Sequence, residues 1–202
     1  MKHRRFAPGD CKPFPGINLH HPRPFRDWKS AILTAAIGGW LQNNPPHLEL
    51  ATFALHELKA RGDDLDAGMK FAAVDLEPIP WLLAARDAVR SAFPETLIEA
   101  QMNGRRGAHV YVMLRGGYTD QNGWYGCYVG STRKTVTARC KEHRKGVRAG
   151  RGLPTHGIEP LWSLFDFLNP VPTAKDARLE WETRLHEALA PVVPKVTGDV
   201  AF

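Results

Sequence analysis

No apolar run in these 202 residues approaches the ~20 needed for a helix to cross a bilayer, so the expectation is a protein without membrane spans. The basic start, Met1 to Arg5, is not followed by an apolar stretch, which argues against a secretory leader. Cysteine is scarce. Cys11, Cys127 and Cys140 are odd in number and include no Cys-x-x-Cys pair, so neither a disulfide framework nor a zinc ribbon is expected, and a reducing cytoplasmic setting fits best. Acid is scarce in one place only. Residues 101–160 hold eleven Lys and Arg against Asp120, Glu142 and Glu159, a net +8 where the whole chain carries +6. A positive field confined to one segment is the footprint of a polyanionic partner, most often nucleic acid. Hydrophobic residues make up 43%, enough to bury a core and to exclude a disordered chain.

The pattern divides into three regions. Residues 1–24 are proline-punctuated and are expected to form an extended arm. Residues 25–104 are expected to form a helical accessory or specificity region. Trp28, Leu33, Ile37 and Leu41 begin a first stripe, and Leu48, Ala51, Leu55 and Leu58 make a second that ends at Gly62. A short third stripe includes Met69 and Ala72, and a fourth follows Pro80. Residues 105–202 change character. His109–Leu114 and Trp124–Val129 are β-rich, with turn chemistry between them at Thr119–Gly123, and predict a hairpin. Arg133–Lys145 reads as a basic helix, Leu161–Leu168 as a third strand, and Ala174–Leu189 as a final amphipathic helix. The expected fold is α+β: a small three-stranded antiparallel sheet with flanking helices in the order β-β-α-β-α, preceded by the helical region.

The chemistry gathers in that last region. A strand ends in Tyr128-Val129-Gly130-Ser131-Thr132, and a basic segment follows with Arg139 and His143 one helical turn apart. A phenol, a guanidinium and an imidazole on so small a scaffold can grip a phosphodiester and activate a water beside it.

The order of these parts resembles the GIY-YIG nuclease family across about residues 105–195. His109-Val110-Tyr111 stands at its first motif and Tyr128-Val129-Gly130 at its second, followed by Ser131 and Thr132. Arg139 and His143 match its arginine and histidine, and Glu182, inside Trp181-Glu182-Thr183-Arg184-Leu185, matches its helical glutamate, with Glu180 as the alternative. His109 replaces the family's glycine, the Gly130-to-Arg139 interval is one residue longer, and the family's late asparagine has no counterpart.

The resemblance implies a metal-dependent DNA endonuclease of cytoplasmic location, of restriction or phage-defence type, using Mg²⁺ or Mn²⁺. A catalytically degenerate nucleic-acid-binding module is the alternative, as is a repair, mobile-element or toxin nuclease of the same family. Tyr111 and Tyr128 are then candidate catalytic groups, one of them a general base whose pKa is lowered by a neighbouring cation and metal-bound water. Arg139 would hold the scissile phosphate in a bidentate fork. His143 would orient a tyrosine or the water, and Glu182 would be the single protein ligand of the metal. Ser131, Thr132, Arg133, Lys134, Lys141, Arg144, Lys145 and Arg148 are the candidate DNA contacts. Strand preference and assembly as a homodimer on DNA are left open.

Overall fold

The computed structural model describes residues 14, 16–100, 106–117, 125–150 and 152–198. The N-terminal helices are α1 (Ser30–Gln42), α2 (Leu48–Arg61), α3 (Leu65–Ala73), α4 (Leu82–Ala92) and the short α5 (Glu95–Ala100), which the sequence pattern did not suggest. Gly62 ends α2 at φ 77°, where its N–H bonds back to Leu58 and Lys59; a left-handed residue at this position favours glycine. Most of the proline-rich arm lies outside the described residues. Its far end is packed, with Phe25 fully buried against Trp28 and Trp40 and Arg23 forked onto Glu57 at 2.9 and 2.6 Å.

The second half contains β1 (Arg106–Arg115), β2 (Gly126–Thr132), α6 (Val136–Arg144), α7 (Leu153–His156), β3 (Gly157–Pro160), α8 (Trp162–Phe165), β4 (Val171–Pro172), α9 (Lys175–Leu189) and β5 (Val196–Gly198). The expected hairpin is present. β1 and β2 pair antiparallel from His109↔Thr132 to Arg115↔Gly126, while the connecting Thr119–Gly123 turn and Trp124 lie outside the described residues.

Two features of the expected sheet are corrected. Among the described residues it has five strands, in the order β3-β1-β2-β5 with β4 also on β1, and it is mixed because β5 runs parallel to β2. The third strand is not Leu161–Leu168 but the preceding Gly157–Pro160. Residues 162–168 instead form α8 and a 3-10 turn. The reason is a distant carboxylate: Glu49 of α2 accepts from the N–H groups of Trp162 at 3.0 Å and Ser163 at 2.9 Å, supplying the donors of a helix start with their acceptor. The interrupted strand edge is then patched by Asn169. Its side chain accepts from Val110 N–H and donates to Val110 C=O, both at 2.9 Å, and so imitates a strand residue between β3 and β4.

Alternation along the hairpin separates the sheet's faces. Tyr111 and Met113 share one with Tyr128 and Gly130, and α6 covers it, bringing Cys140 Sγ to 3.5 Å from Met113 Sδ. Val110, Val112, Leu114, Cys127 and Val129 line the other face and are fully buried. The helical region is not a separate bead. Phe93 of the α4 end stacks on Trp181 of α9 at 5.2 Å, and Trp81 Nε1 donates to the Tyr125 carbonyl at 3.1 Å. One apolar core therefore runs through both regions.

Candidate active site and nucleic-acid interface

Gly130 is the seat of the site. It lies directly across from Tyr111 and two residues beyond Tyr128, so both rings lean over a position without a side chain. A Cβ there would meet Tyr111 Oη at 2.6 Å and Tyr128 Cε1 at 2.8 Å. The tyrosine rings are 6.2 Å apart, and α6 lowers His143 onto both, with centroid separations of 5.7 Å to each. Gly130→Ala is accordingly expected to cost about 1–3 kcal/mol, as overpacking does. The check is a fall in the urea midpoint together with altered near-UV circular dichroism from the displaced tyrosines.

The polar contacts form a line. Tyr111 Oη is 2.7 Å from His143 Nε2, and Arg139 Nε donates to the same oxygen at 3.4 Å. Burial, reinforced by the charge of Arg139, brings the His143 pKa down to about 4, so the ring is neutral at neutral pH. A neutral ring can present Nε2 as an acceptor, and the Tyr111 hydroxyl then donates to it. The protein's own groups do not lower the Tyr111 pKa. Burial first, and Tyr128 second, raise it, and the bond from Arg139 only partly opposes them. With the Tyr111 side chain 1% exposed, desolvation of a phenolate outweighs one nearby cation.

Arg139 is committed on several sides. Besides Tyr111, its guanidinium donates to Glu142 Oε2 at 3.2 Å, to the Val147 carbonyl at 3.3 Å and to the Arg148 carbonyl at 2.6 Å. The loop after α6 is thereby drawn over the cluster, and Gly150 packs against the Tyr128 ring, where a Cβ would lie 2.8 Å from Cζ. Sequence reading had not singled out Gly150 or Glu142. The near-repeat Gly150-Arg151-Gly152 and a lone acid in a basic run were the available signals.

The structure thus brings together Tyr111, Tyr128, Arg139 and His143. Glu182 comes from α9, is buried, and lies one turn beyond Arg178, whose Nε donates to Ser131 Oγ at 3.1 Å. Ser131 alternates to the face opposite Gly130, so α9 meets the sheet from the layer facing away from α6. Glu180 and Glu187 are exposed, which distinguishes Glu182 among the three acids on that helix stretch. A Mg²⁺-type ion keeps most of its water and takes one or two carboxylates with phosphate oxygens, so one protein carboxylate is enough for it. Among the described residues no three His, Cys, Asp or Glu side chains are grouped as a metal cage.

The candidate DNA contacts divide in two. Ser131 and Thr132 are turned to internal work: Thr132 Oγ1 accepts from Lys134 N–H at 3.1 Å. Arg133, Lys134, Lys141, Arg144, Lys145 and Arg148 are exposed along α6 and its flanks and form the outward basic surface. His109 is half-buried and helps line a cleft of about 280 Å³ with Thr137, Trp162 and Asp166. No helix among the described residues is long and apolar enough to cross a membrane. No family model, curated protein or solved structure matches the chain.

Proposed function

We propose that the chain is a metal-dependent DNA endonuclease of the GIY-YIG type, hydrolysing phosphodiester bonds. The observation that carries the reading is the 2.7 Å Tyr111–His143 pair with Arg139 on the same phenolic oxygen, set beneath a segment of net charge +8. In this reading Arg139 donates to the phosphate oxygens and stays charged at any working pH. Neutral His143 accepts the Tyr111 hydroxyl hydrogen at Nε2 and so fixes the phenolic oxygen that orients the attacking water. Tyr128, on the same sheet face, bounds the water's position. Glu182 is the candidate ligand for Mg²⁺ or Mn²⁺ by its place in the motif; it comes from the helix layer behind the sheet, so no step at the Arg139-held phosphate is assigned to it. The exposed lysines and arginines around α6 hold the DNA backbone without reading sequence.

A second reading has its own support. Both tyrosines are almost fully buried and the Arg139 fork is already filled, which suits a DNA-binding module that no longer cuts. Nicking of supercoiled plasmid with Mg²⁺ or Mn²⁺ decides between the two. Cleavage that falls at least a hundredfold in Arg139→Ala and Glu182→Ala supports the nuclease. DNA binding without cleavage under either metal supports the module and ends the enzymatic reading. Cleavage undiminished in both variants ends the residue assignment.

A further inference from the structure

Residues 133–151 contain eight Lys and Arg and a single acid, Glu142. An isolated carboxylate in a surface meant for a polyanion weakens binding unless it has a task there. Its position gives the task. Glu142 Oε2 accepts from Arg139 Nη1 at 3.2 Å, while Oε1 is paired with Lys134 Nζ, so one carboxylate bridges a cation that precedes α6 and one within it. A phosphate has the same chemistry, with paired anionic oxygens able to take a guanidinium on one side and an ammonium on the other.

We propose that Lys134 and Arg139 form a two-cation phosphate seat, and that Glu142 is its resident occupant, displaced when a nucleic-acid phosphate enters. This rests on the nuclease reading for the role of Arg139 and adds Lys134 as the second cation and Glu142 as a built-in competitor. The bridge is well placed for exchange. The Glu142 and Lys134 side chains retain 25% and 59% of their accessible surface, so the carboxylate can swing into water without disturbing the core. The Arg139 side chain is 15% exposed and is oriented from behind by Tyr111 and the Val147 and Arg148 carbonyls, so it remains aimed after Glu142 leaves. The competitor keeps the two cations from repelling one another in the free protein. It also raises the threshold for weak anions, since an entering group must outbid a carboxylate already in place.

The competitor and a mere positioning contact predict opposite signs for Glu142→Gln. The experiment measures affinity of the full chain for a fluorescent 20-base-pair duplex in EDTA by anisotropy, at several salt concentrations. Cleavage is followed separately with Mg²⁺. With the competitor removed, E142Q is expected to bind about 3- to 10-fold more tightly, and its log Kd against log salt is expected to steepen by close to one phosphate contact, roughly 0.9. In a Lys134→Ala background the same change is expected to gain much less, because half of the seat has gone. Unchanged or weaker binding by E142Q, from a parent that binds DNA, overturns the seat and leaves the nuclease reading standing. Absence of duplex binding by both proteins overturns the two together.

Discussion

Tyr111→Phe is expected to lower DNA cleavage by about 10²- to 10³-fold with DNA affinity nearly unchanged, the range associated with losing one positioned hydrogen-bonding group. The substitution keeps the ring over Gly130 and removes only the oxygen that joins His143 Nε2 to Arg139 Nε. Since Tyr111 is buried and its loss leaves the exposed lysines and arginines in place, the effect is expected on kcat rather than on KM. The pH profile carries a second signature. On the proposed nuclease reading the neutral form of His143 is the competent one, and its pKa lies near 4, so the acid limb of cleavage should fall well below the ordinary imidazole value of about 6.5. The same shift bears on stability. A histidine with a depressed folded pKa contributes stability that is present above about 6.5 and lost as pH falls toward 4. His143→Gln should weaken that loss in urea unfolding over the same window. Undiminished cleavage by Tyr111→Phe would remove the tyrosine–histidine pair from the chemistry.

The hairpin was legible because its signals are local. Alternation at His109–Leu114 and at Tyr128–Val129, with glycines bounding the first run, needs no knowledge of the rest of the chain. The convergence of Tyr111, Tyr128, Arg139 and His143 was legible for a related reason: adjacent paired strands and one helical turn fix their separations. What failed depended on distant partners. Nothing in Trp162–Leu168 announces a helix, because the acceptor for its first N–H groups is Glu49, more than a hundred residues earlier. The strand character of Val196–Gly198 likewise comes from the open edge of β2 rather than from three residues of propensity. The upward shift at Tyr111 was hidden for the same reason. A neighbouring cation can be read from spacing, whereas desolvation by α6 and the loop through Gly150 cannot. The boundary near residue 104 marks a real change of pattern, from helical stripes to strands. It does not mark a break in packing, as the Phe93–Trp181 stack and the Glu49 bonds cross it.

Glu49→Ala is expected to destabilise the protein by roughly 2–5 kcal/mol, because it leaves the buried Trp162 and Ser163 N–H groups without an acceptor. The junction is reciprocal: while Glu49 caps α8, Glu159 at the end of β3 accepts from the Glu49 N–H at 2.7 Å and so caps the start of α2. Each half of the molecule thus completes a helix terminus of the other, and unfolding is expected to occur in one transition rather than two. Two carboxylates buried together have a cost. Burial, and then the charge of Glu159, hold the Glu49 pKa up to about 8, against the opposing bonds from Ser163 and Trp162. An acid whose folded pKa is raised keeps its proton in the fold and sheds it on unfolding. Its effect is therefore a stability that declines as pH rises from about 4.5 to about 8. Glu49→Gln retains an oxygen acceptor but cannot ionise. Its urea midpoint should hold more nearly level across that window, crossing above the parent's toward pH 8. A parallel pH dependence in parent and Glu49→Gln would show that the carboxylate pair does not couple protonation to the joining of the two halves.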